Sequence, residues 1–180
     1  MRVIAGSAGG MRLIAPRDPS TRPITDRVKE TLFAILGDRV PDAKVLDLYA
    51  GSGAIGIEAL SRGAASADFV ERGRPPLEAL RANLATTRLA GASRVHAVDV
   101  DRFLAQDAGA AWDLAFLDPP YELRAIVAPL RALVPHLAPG AMVVVKHFWR
   151  TEVPEVIGLV PIRQRRFGET MLTFLELEDA

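Results

Sequence analysis

The sequence predicts an α/β fold: a mostly parallel sheet with helices on both faces, closed at one edge by an antiparallel hairpin. Three observations carry this. Between residues 44 and 146, apolar runs of strand length alternate with segments whose apolar residues recur at helical spacing. The first strand and helix meet at a glycine turn, Gly51-Ser-Gly-Ala-Ile-Gly56, where the missing side chains permit a sharp bend and close approach of a ligand. The final stretches, Leu159–Phe167 and Glu169–Glu178, both read as strands around a turn at Gly168 and break the alternation.

Each element has a local reason. Around Arg2–Ala5 and Met11–Ala15 two short strands are expected, with Gly6, Gly9 and Gly10 in the turn between them. Residues 16–23 form a polar connection whose prolines disfavour helix in the residues before them. Thr25 or Asp26 can cap the helix that follows. Val28, Leu32, Ile35 and Leu36 line one face of it, and Gly37 ends it. Val45, Leu46 and Leu48 mark the first strand, and a helix then runs to about Arg62. Ala67–Glu71 is the second strand. Pro75 and Pro76 stand where the next helix starts, and Leu77, Leu80 and Leu84 give its apolar face. Arg94–Val100 is the third strand, followed by a short helix near Arg102–Gln106. Trp112–Asp118 is the fourth strand, and a helix extends from about Leu123 to Leu137. Pro139-Gly140 turns into a fifth strand, Ala141–Lys146. One domain is expected over 1–180, with residues 1–25 as an N-terminal β-hairpin extension and basic linker, and 26–180 as the core.

Composition narrows the class. The chain has 180 residues and 49% of them are hydrophobic, enough for one ordinary core. No apolar run is long enough to span a bilayer, and residues 1–20 lack a signal-like stretch. With no cysteine there are no disulfides or thiolate metal sites. His96, His136 and His147 lack metal-ligand spacing and read as surface or strand-end residues, so no metal is expected. A cytoplasmic monomer is expected, away from membranes, since no exposed apolar stripe stands out. The 22 basic and 22 acidic residues cancel, yet their distribution is uneven. Arg2, Arg12, Arg17, Arg22, Arg27 and Lys29 crowd the first 29 residues against Asp18 and Asp26, and Arg163, Arg165 and Arg166 lie near the other end. A local basic patch is what nucleic-acid contact requires, and arginine suits bidentate phosphate contacts.

The chemistry-bearing residues fall at strand ends. In a doubly wound sheet, ligands bind beyond the carboxyl ends of the strands. Asp47 and the glycine turn end the first strand, Glu71 the second, Asp99 the third and Asp118 the fourth. Amides of the turn and helix start would suit a polar or anionic ligand. Glu71 stands roughly 20 residues past the turn, where a carboxylate accepts hydrogen bonds from ribose hydroxyls. Asp118-Pro-Pro-Tyr121 is the decisive motif. Its prolines stiffen the loop, Asp118 supplies a carboxylate, and Tyr121 offers a face for base stacking. Together with a proline carbonyl, that carboxylate can accept both N–H groups of an exocyclic amine and turn its lone pair toward an electrophile.

Asp118-Pro-Pro-Tyr121 after the fourth strand, with Asp47–Gly53 after the first, resembles the S-adenosylmethionine-dependent amino-methyltransferases and their Rossmann-like fold. Thr21–Phe33, Leu46–Ala64 and Phe167-Gly-Glu-Thr170 resemble, more narrowly, the RsmD family, bacterial enzymes that methylate a guanine N2 in 16S rRNA. The resemblance covers nearly the whole chain. It implies that Asp47, Ala50, Gly51, Ser52 and Gly53 hold the methionine part of S-adenosylmethionine, Glu71 its ribose, and Asp99 with the Val100 amide its adenine. It places Asp118, Pro119 and Tyr121 at the target guanine, with Asp118 also near the cofactor. Arg22, Thr25 and Arg27 are expected near the RNA, joined by Lys29, Arg163, Arg165 and Arg166. The partner implied is 16S rRNA, in the small subunit or an assembly intermediate. Two positions depart from the family pattern: Ile24 replaces a small polar residue, and Lys146-His147 ends strand five where an acidic or neutral residue is expected.

Three other readings compete. A nicotinamide-dependent oxidoreductase fits the glycine turn and Glu71 and leaves Asp118–Tyr121 unexplained. A methyltransferase acting on DNA adenine or cytosine shares the chemistry, but the chain has no room for a separate target-recognition domain. A non-catalytic RNA-binding module fits the arginines and leaves the strand-end carboxylates idle.

Overall fold

Strand β1, Lys44–Leu48, sits inside a seven-stranded sheet and is flanked on both sides by parallel partners. The computed structural model describes residues 1–16, 24–106, 111–119 and 124–178. The other strands are β2 (Ser66–Val70), β3 (Ser93–His96), β4 (Trp112–Leu117), β5 (Leu137–Phe148), β6 (Leu159–Phe167) and β7 (Thr170–Leu177). The helices are α1 (Asp26–Leu36), α2 (Ala54–Ser61), α3 (Arg74–Thr87), α4 (Val100–Leu104) and α5 (Arg124–Leu133). Lateral order in the sheet is β3-β2-β1-β4-β5-β7-β6. Strands β1 to β5 pair in parallel, whereas β7 runs antiparallel to both β5 and β6. This is the doubly wound, mostly parallel sheet read from the sequence, closed by the expected C-terminal hairpin.

Alternation along the strands divides the interior into two cores. Val45, Leu114, Phe116, Met142 and Val144 face α1, α2 and α3, meeting Leu32, Phe33 and Leu80. Leu46, Leu48, Leu117, Val143 and Val145 face α4 and α5, meeting Phe103, Leu130 and Leu133. Because both faces are covered, the central strands read as nearly continuous apolar runs. Phe33 packs on Phe116 with ring centroids 6.2 Å apart, and each such buried side chain contributes about 1.5–3 kcal/mol.

Several boundaries differ from expectation. The N-terminal strands reduce to one antiparallel bridge, Arg2 with Arg12. Val3 donates to the Met11 carbonyl, and Gly10 and Leu13 donate to the Val3 and Met1 carbonyls, but the backbone groups beyond them bond side chains instead. Ile4 and Ala5 donate to Glu58 at 2.7 and 3.0 Å, and Ile14 both donates to and accepts from the Asn83 amide at 2.7 and 2.9 Å. Strand β3 stops at His96, because Asp99 caps α4 by accepting from the Asp101 amide at 3.0 Å. Helix α5 ends at Leu133 and continues as a 3₁₀ turn, Val134–His136. Pro135 lacks the amide that an α-helical ladder would need there. Pro139 and Gly140 lie inside β5 rather than before it, beside an irregularity in register between Trp112 and Leu114. A second irregularity falls between Pro161 and Arg163 on the edge strand β6.

One buried carboxylate joins three parts of the first core. Glu58 on α2 has no exposed side-chain surface. Besides the Ile4 and Ala5 amides, it binds Arg62 Nε at 2.8 Å and Lys29 Nζ at 3.4 Å. Lys29, on α1, is equally buried and also donates to the Arg2 carbonyl. Burial pulls its pKa below the ordinary lysine value, and Glu58 opposes that pull. Ser61, one turn further along α2, accepts from the Ala8 amide at 2.9 Å. Where Gly6 crosses this helix, a Cβ would lie 1.7 Å from the Ser61 carbonyl oxygen.

Removing one partner of a buried ion pair leaves an uncompensated charge, so Glu58→Ala should cost about 3–5 kcal/mol in urea unfolding. Lys29→Met combined with Glu58→Ala should cost less than the sum of the single substitutions, because the stranded ammonium is gone.

Candidate active site

The strand order reverses between β1 and β4, and a doubly wound sheet opens a crevice at that point. Successive strands deliver their terminal residues to this edge in lateral order: Asp99 beyond β3, Glu71 after β2, Asp47 on β1, Asp118 after β4 and Lys146 on β5. The Asp118 amide donates to the Leu48 carbonyl at 3.4 Å, so the β1 and β4 loops leave the sheet side by side. Leu114 and Phe116 point into the first core, and alternation puts Asp118 on that same face.

The loop after β1 is held from within. Tyr49, Gly51 and Gly53 have positive φ of 60°, 56° and 79°. A Cβ on Gly51 would meet no atom within 4 Å, so glycine there answers to backbone conformation. At Gly56 the need is close packing, since a Cβ would lie 2.3 Å from Phe69 on β2. The amides of Ala50, Gly51, Gly53 and Gly56 donate to Val70 O, Glu71 Oε2, Ala50 O and Asp47 Oδ2, at 3.0, 2.9, 2.8 and 3.0 Å. Buried Ser52 is tied through its carbonyl to Asn83 at 3.0 Å. The sequence predicts a turn whose amides meet a polar or anionic ligand. Those four are already paired with protein acceptors, two of them carboxylates, which is the wrong electrostatics for a pyrophosphate.

The carboxylates themselves set the character of the crevice. Asp47 is only 2% exposed. Desolvation above all, opposed by the Gly56 amide and helped by the Asp118 and Glu71 charges, raises its pKa to about 7. Glu71 accepts from the Gly51 amide at 2.9 Å and the Gly73 amide at 2.7 Å, bracing the β1 and β2 loops together. Asp99 pairs with Arg72 at 2.9 Å while capping α4, and Val100 begins that helix with its side chain buried. The cluster suits a cationic ligand with hydroxyls, such as the sulfonium, ammonium and ribose of S-adenosylmethionine. It disfavours a dinucleotide.

Asp118 is not alone at the end of β4. Lys146 Nζ donates to both of its oxygens, at 2.7 and 2.6 Å. Desolvation raises the Asp118 pKa above the ordinary carboxylate value, and Lys146 pulls it back. Pro119 is buried; Pro120 and Tyr121 lie outside the described residues. Residue type alone does not reveal the Lys146 partnership, although a signal exists: Phe116 pairs with Val144 and Leu117 with Val145, so one further step sets Asp118 beside Lys146. His147 is buried rather than at the surface, bonded through Nε2 to Thr173 Oγ1 at 2.8 Å.

The basic residues divide. Lys29, expected at RNA, is instead buried against Glu58, because α1 turns this face into the first core. Thr25 accepts from the Val28 amide as the cap of α1, and Arg27 lies within the first turn of that helix. Arg22 lies outside the described residues. Arg163, Arg165 and Arg166 are exposed on β6, three strand spacings from β4, about 14 Å. Arg166 stacks on Trp149 with its guanidinium 3.7 Å from the ring centroid, and Arg150 lies 4.8 Å from the same ring. Sequence reasoning misses Trp149; the register of β5 beyond Lys146 is what brings it to this edge.

Comparison with known proteins places the chain. A family model described as "Conserved hypothetical protein 95" matches residues 1–176. "Putative rRNA methyltransferase YlbH" of Bacillus subtilis strain 168 is 38% identical over 175 residues, 94% of this chain and 95% of that protein. "Ribosomal RNA small subunit methyltransferase D" of Escherichia coli strain K12 is 46% identical over 121 residues, 67% of this chain and 60% of that one. Among solved structures, "Putative methyltransferase yhhF from Escherichia coli" superposes with a TM-score of 0.89 at 35% identity, covering 99% of this chain and 98% of that one. A family match over almost the full length, relatives of this identity and a shared fold together mean that the chain belongs to the RsmD family.

Proposed function

We propose that this protein is an S-adenosylmethionine-dependent rRNA methyltransferase that modifies the exocyclic N2 amine of a guanine in the 16S rRNA of the small ribosomal subunit. The observation that carries the reading is the placement of Asp118 beside the Asp47–Gly53 loop, at the switch point of an acid-lined crevice. The names of the B. subtilis and E. coli relatives support ribosomal RNA as substrate. Guanine N2 follows from the family resemblance.

The chain's residues divide the work as follows. Asp47 and the loop from Ala50 to Gly53 take the methionine end of the cofactor, Glu71 its ribose, and Asp99 with the Val100 amide its adenine. When bound, S-adenosylmethionine supplies an electrophilic methyl group. Asp118 and the Pro119 carbonyl accept the two N–H groups of the target amine. A guanine N2 lone pair is delocalised into the ring, and these two bonds favour a pyramidal nitrogen with its lone pair free. Fixing that alignment removes much of the entropic barrier. As positive charge develops on nitrogen, the Asp118 carboxylate stabilises it without reorganising. Tyr121 offers a stacking face for a base that has left its own stack, which loop RNA permits at low cost. Arg22, Thr25, Arg27, Arg163, Arg165 and Arg166 serve as contacts to the RNA.

Asp118→Ala should reduce methyl transfer at least a hundredfold, with S-adenosylhomocysteine affinity within a few-fold of wild type. Tritiated transfer is to be measured on small subunits, naked 16S rRNA and duplex DNA in parallel. Labelling of DNA alone would overturn the rRNA substrate, and an active variant would overturn the mechanism.

Asp47 gives a second test. Its pKa of about 7 lies above the usual carboxylate value, so at lower pH the free protein holds a proton there. A cationic ligand requires the ionised form. Cofactor affinity should therefore rise with pH up to about 7 and level off above it, with protons released on binding below that point. Calorimetry in buffers of different ionisation heat reads this directly, and Asp47→Asn should remove the proton release.

For the RNA, Arg27→Ala, Arg163→Ala and Arg165→Ala together should weaken binding. The salt dependence should flatten by about 0.7–0.9 for each phosphate no longer neutralised. An unchanged slope would assign these arginines to plain surface charge.

A further inference from the structure

Lys146 is a basic residue in a row of strand-end acids, and the structure shows what it does there. Met142, Val144 and Lys146 alternate onto one face of β5, as Leu114, Phe116 and Asp118 do from β4. The lysine therefore reaches Asp118 within the sheet's own register. Its ammonium donates to both carboxylate oxygens, at 2.7 and 2.6 Å. Lysine is also the more enclosed partner, with 12% side-chain exposure against 32% for Asp118. The pair is thus approached from the carboxylate side.

A carboxylate has about four lone-pair sites, two on each oxygen. Lys146 engages one per oxygen, which fixes the carboxylate plane and leaves one on each for an incoming N–H. Around Asp118, the neighbouring elements offer Asp47 from β1, with Glu71 behind it, and Lys146 from β5. Facing β4, α1 contributes the apolar Phe33 against Phe116. Among the described residues, Lys146 is therefore the cation set against this group of carboxylates.

We propose that Lys146 is a positioning residue for amine methylation: it keeps Asp118 charged beside Asp47 and holds its carboxylate plane so that a remaining lone pair meets one N–H of the target amine while the Pro119 carbonyl takes the other. The assignment rests on the reading of Asp118 as the amine-binding carboxylate. The Coulomb argument sets the sign. Without the ammonium, burial favours the protonated form of Asp118. A protonated Asp118 no longer offers both oxygens as acceptors.

The test uses the full chain carrying Lys146→Met, Lys146→Gln or Lys146→Arg, with folding checked by thermal unfolding. Single-turnover methyl transfer to small subunits is followed against pH, and the Asp118 carboxyl is titrated by carbon NMR, assigned by its loss in Asp118→Asn. In Lys146→Met and Lys146→Gln the acid limb of the rate and the Asp118 midpoint should both move to higher pH. Transfer should fall about tenfold at one pH unit below the new midpoint and recover toward wild type above it. Lys146→Arg should keep the wild-type limb, and S-adenosylhomocysteine affinity should change little in all three. A wild-type limb and midpoint in both neutral variants would overturn the positioning role. If Asp118→Asn itself transfers methyl at the wild-type rate, the reading of Asp118 fails instead, and the NMR midpoint still reports whether Lys146 controls that carboxylate.

Discussion

The buried carboxylate of Glu58 is the constraint on which the arrangement around the crevice depends. A charge without solvent must satisfy its lone pairs from the protein, and here the partners come from the N-terminal segment, α1 and α2. That requirement decides where the first residues go. They pair with one another only over a short span, from Met1 and Val3 to Gly10, Met11 and Leu13, because the next amides, of Ile4 and Ala5, are taken by Glu58 and the path is shaped by Ser61 and Asn83. It also fixes the azimuth of α1, whose Lys29 must meet the same carboxylate. With α1 set, Phe33 is held against Phe116 on β4, two residues before Asp118. A polar hub in one core thus orients elements that border the site.

The crevice follows a different logic. Five neighbouring strands end in charged side chains, and the sheet topology rather than sequence proximity orders them. Their mutual repulsion is tolerated because each acid has a local donor: Gly56 for Asp47, Gly51 and Gly73 for Glu71, Asp101 and Arg72 for Asp99, Lys146 for Asp118. The donors are mostly backbone amides, so the side chains keep net negative character on the open side. This distinguishes the turn from a phosphate-binding loop of the same glycine spacing, where the amides themselves face the ligand. The spacing alone could not tell the two apart; the carboxylates that capture the amides do.

Much of the fold was legible because its signals are local. Periodicity marked α1 and α3, valine-rich runs marked β5, and Gly168 marked the hairpin. The strand-end acids were legible because a parallel α/β pattern puts every such end at one edge. What could not be read depended on contacts between distant residues. Lys29 is a surface-type residue at a surface-type position near a terminus, and only Glu58, far along the chain, explains its burial. Asp99 could end a strand or cap a helix, and the short α4 decided it. Lys146 needed the register between β4 and β5, which residue type does not reveal. Trp149 needed the same register carried further, to the arginines of β6.

The outer strand β6 has a consequence of its own. It is the last strand on its side of the sheet, and most of its residues are exposed on both faces. A flat apolar edge in that position invites another chain to extend the sheet. Here Pro161 removes one backbone donor, the register irregularity beside it disturbs the ladder, and Arg163, Arg165 and Arg166 place like charges along the rim. Two copies meeting edge to edge would set these guanidinium groups against one another. The same arginines that suit a polyanion therefore also act as a guard against self-association, and replacing them with neutral residues would trade away protection from aggregation as well as any contact to RNA.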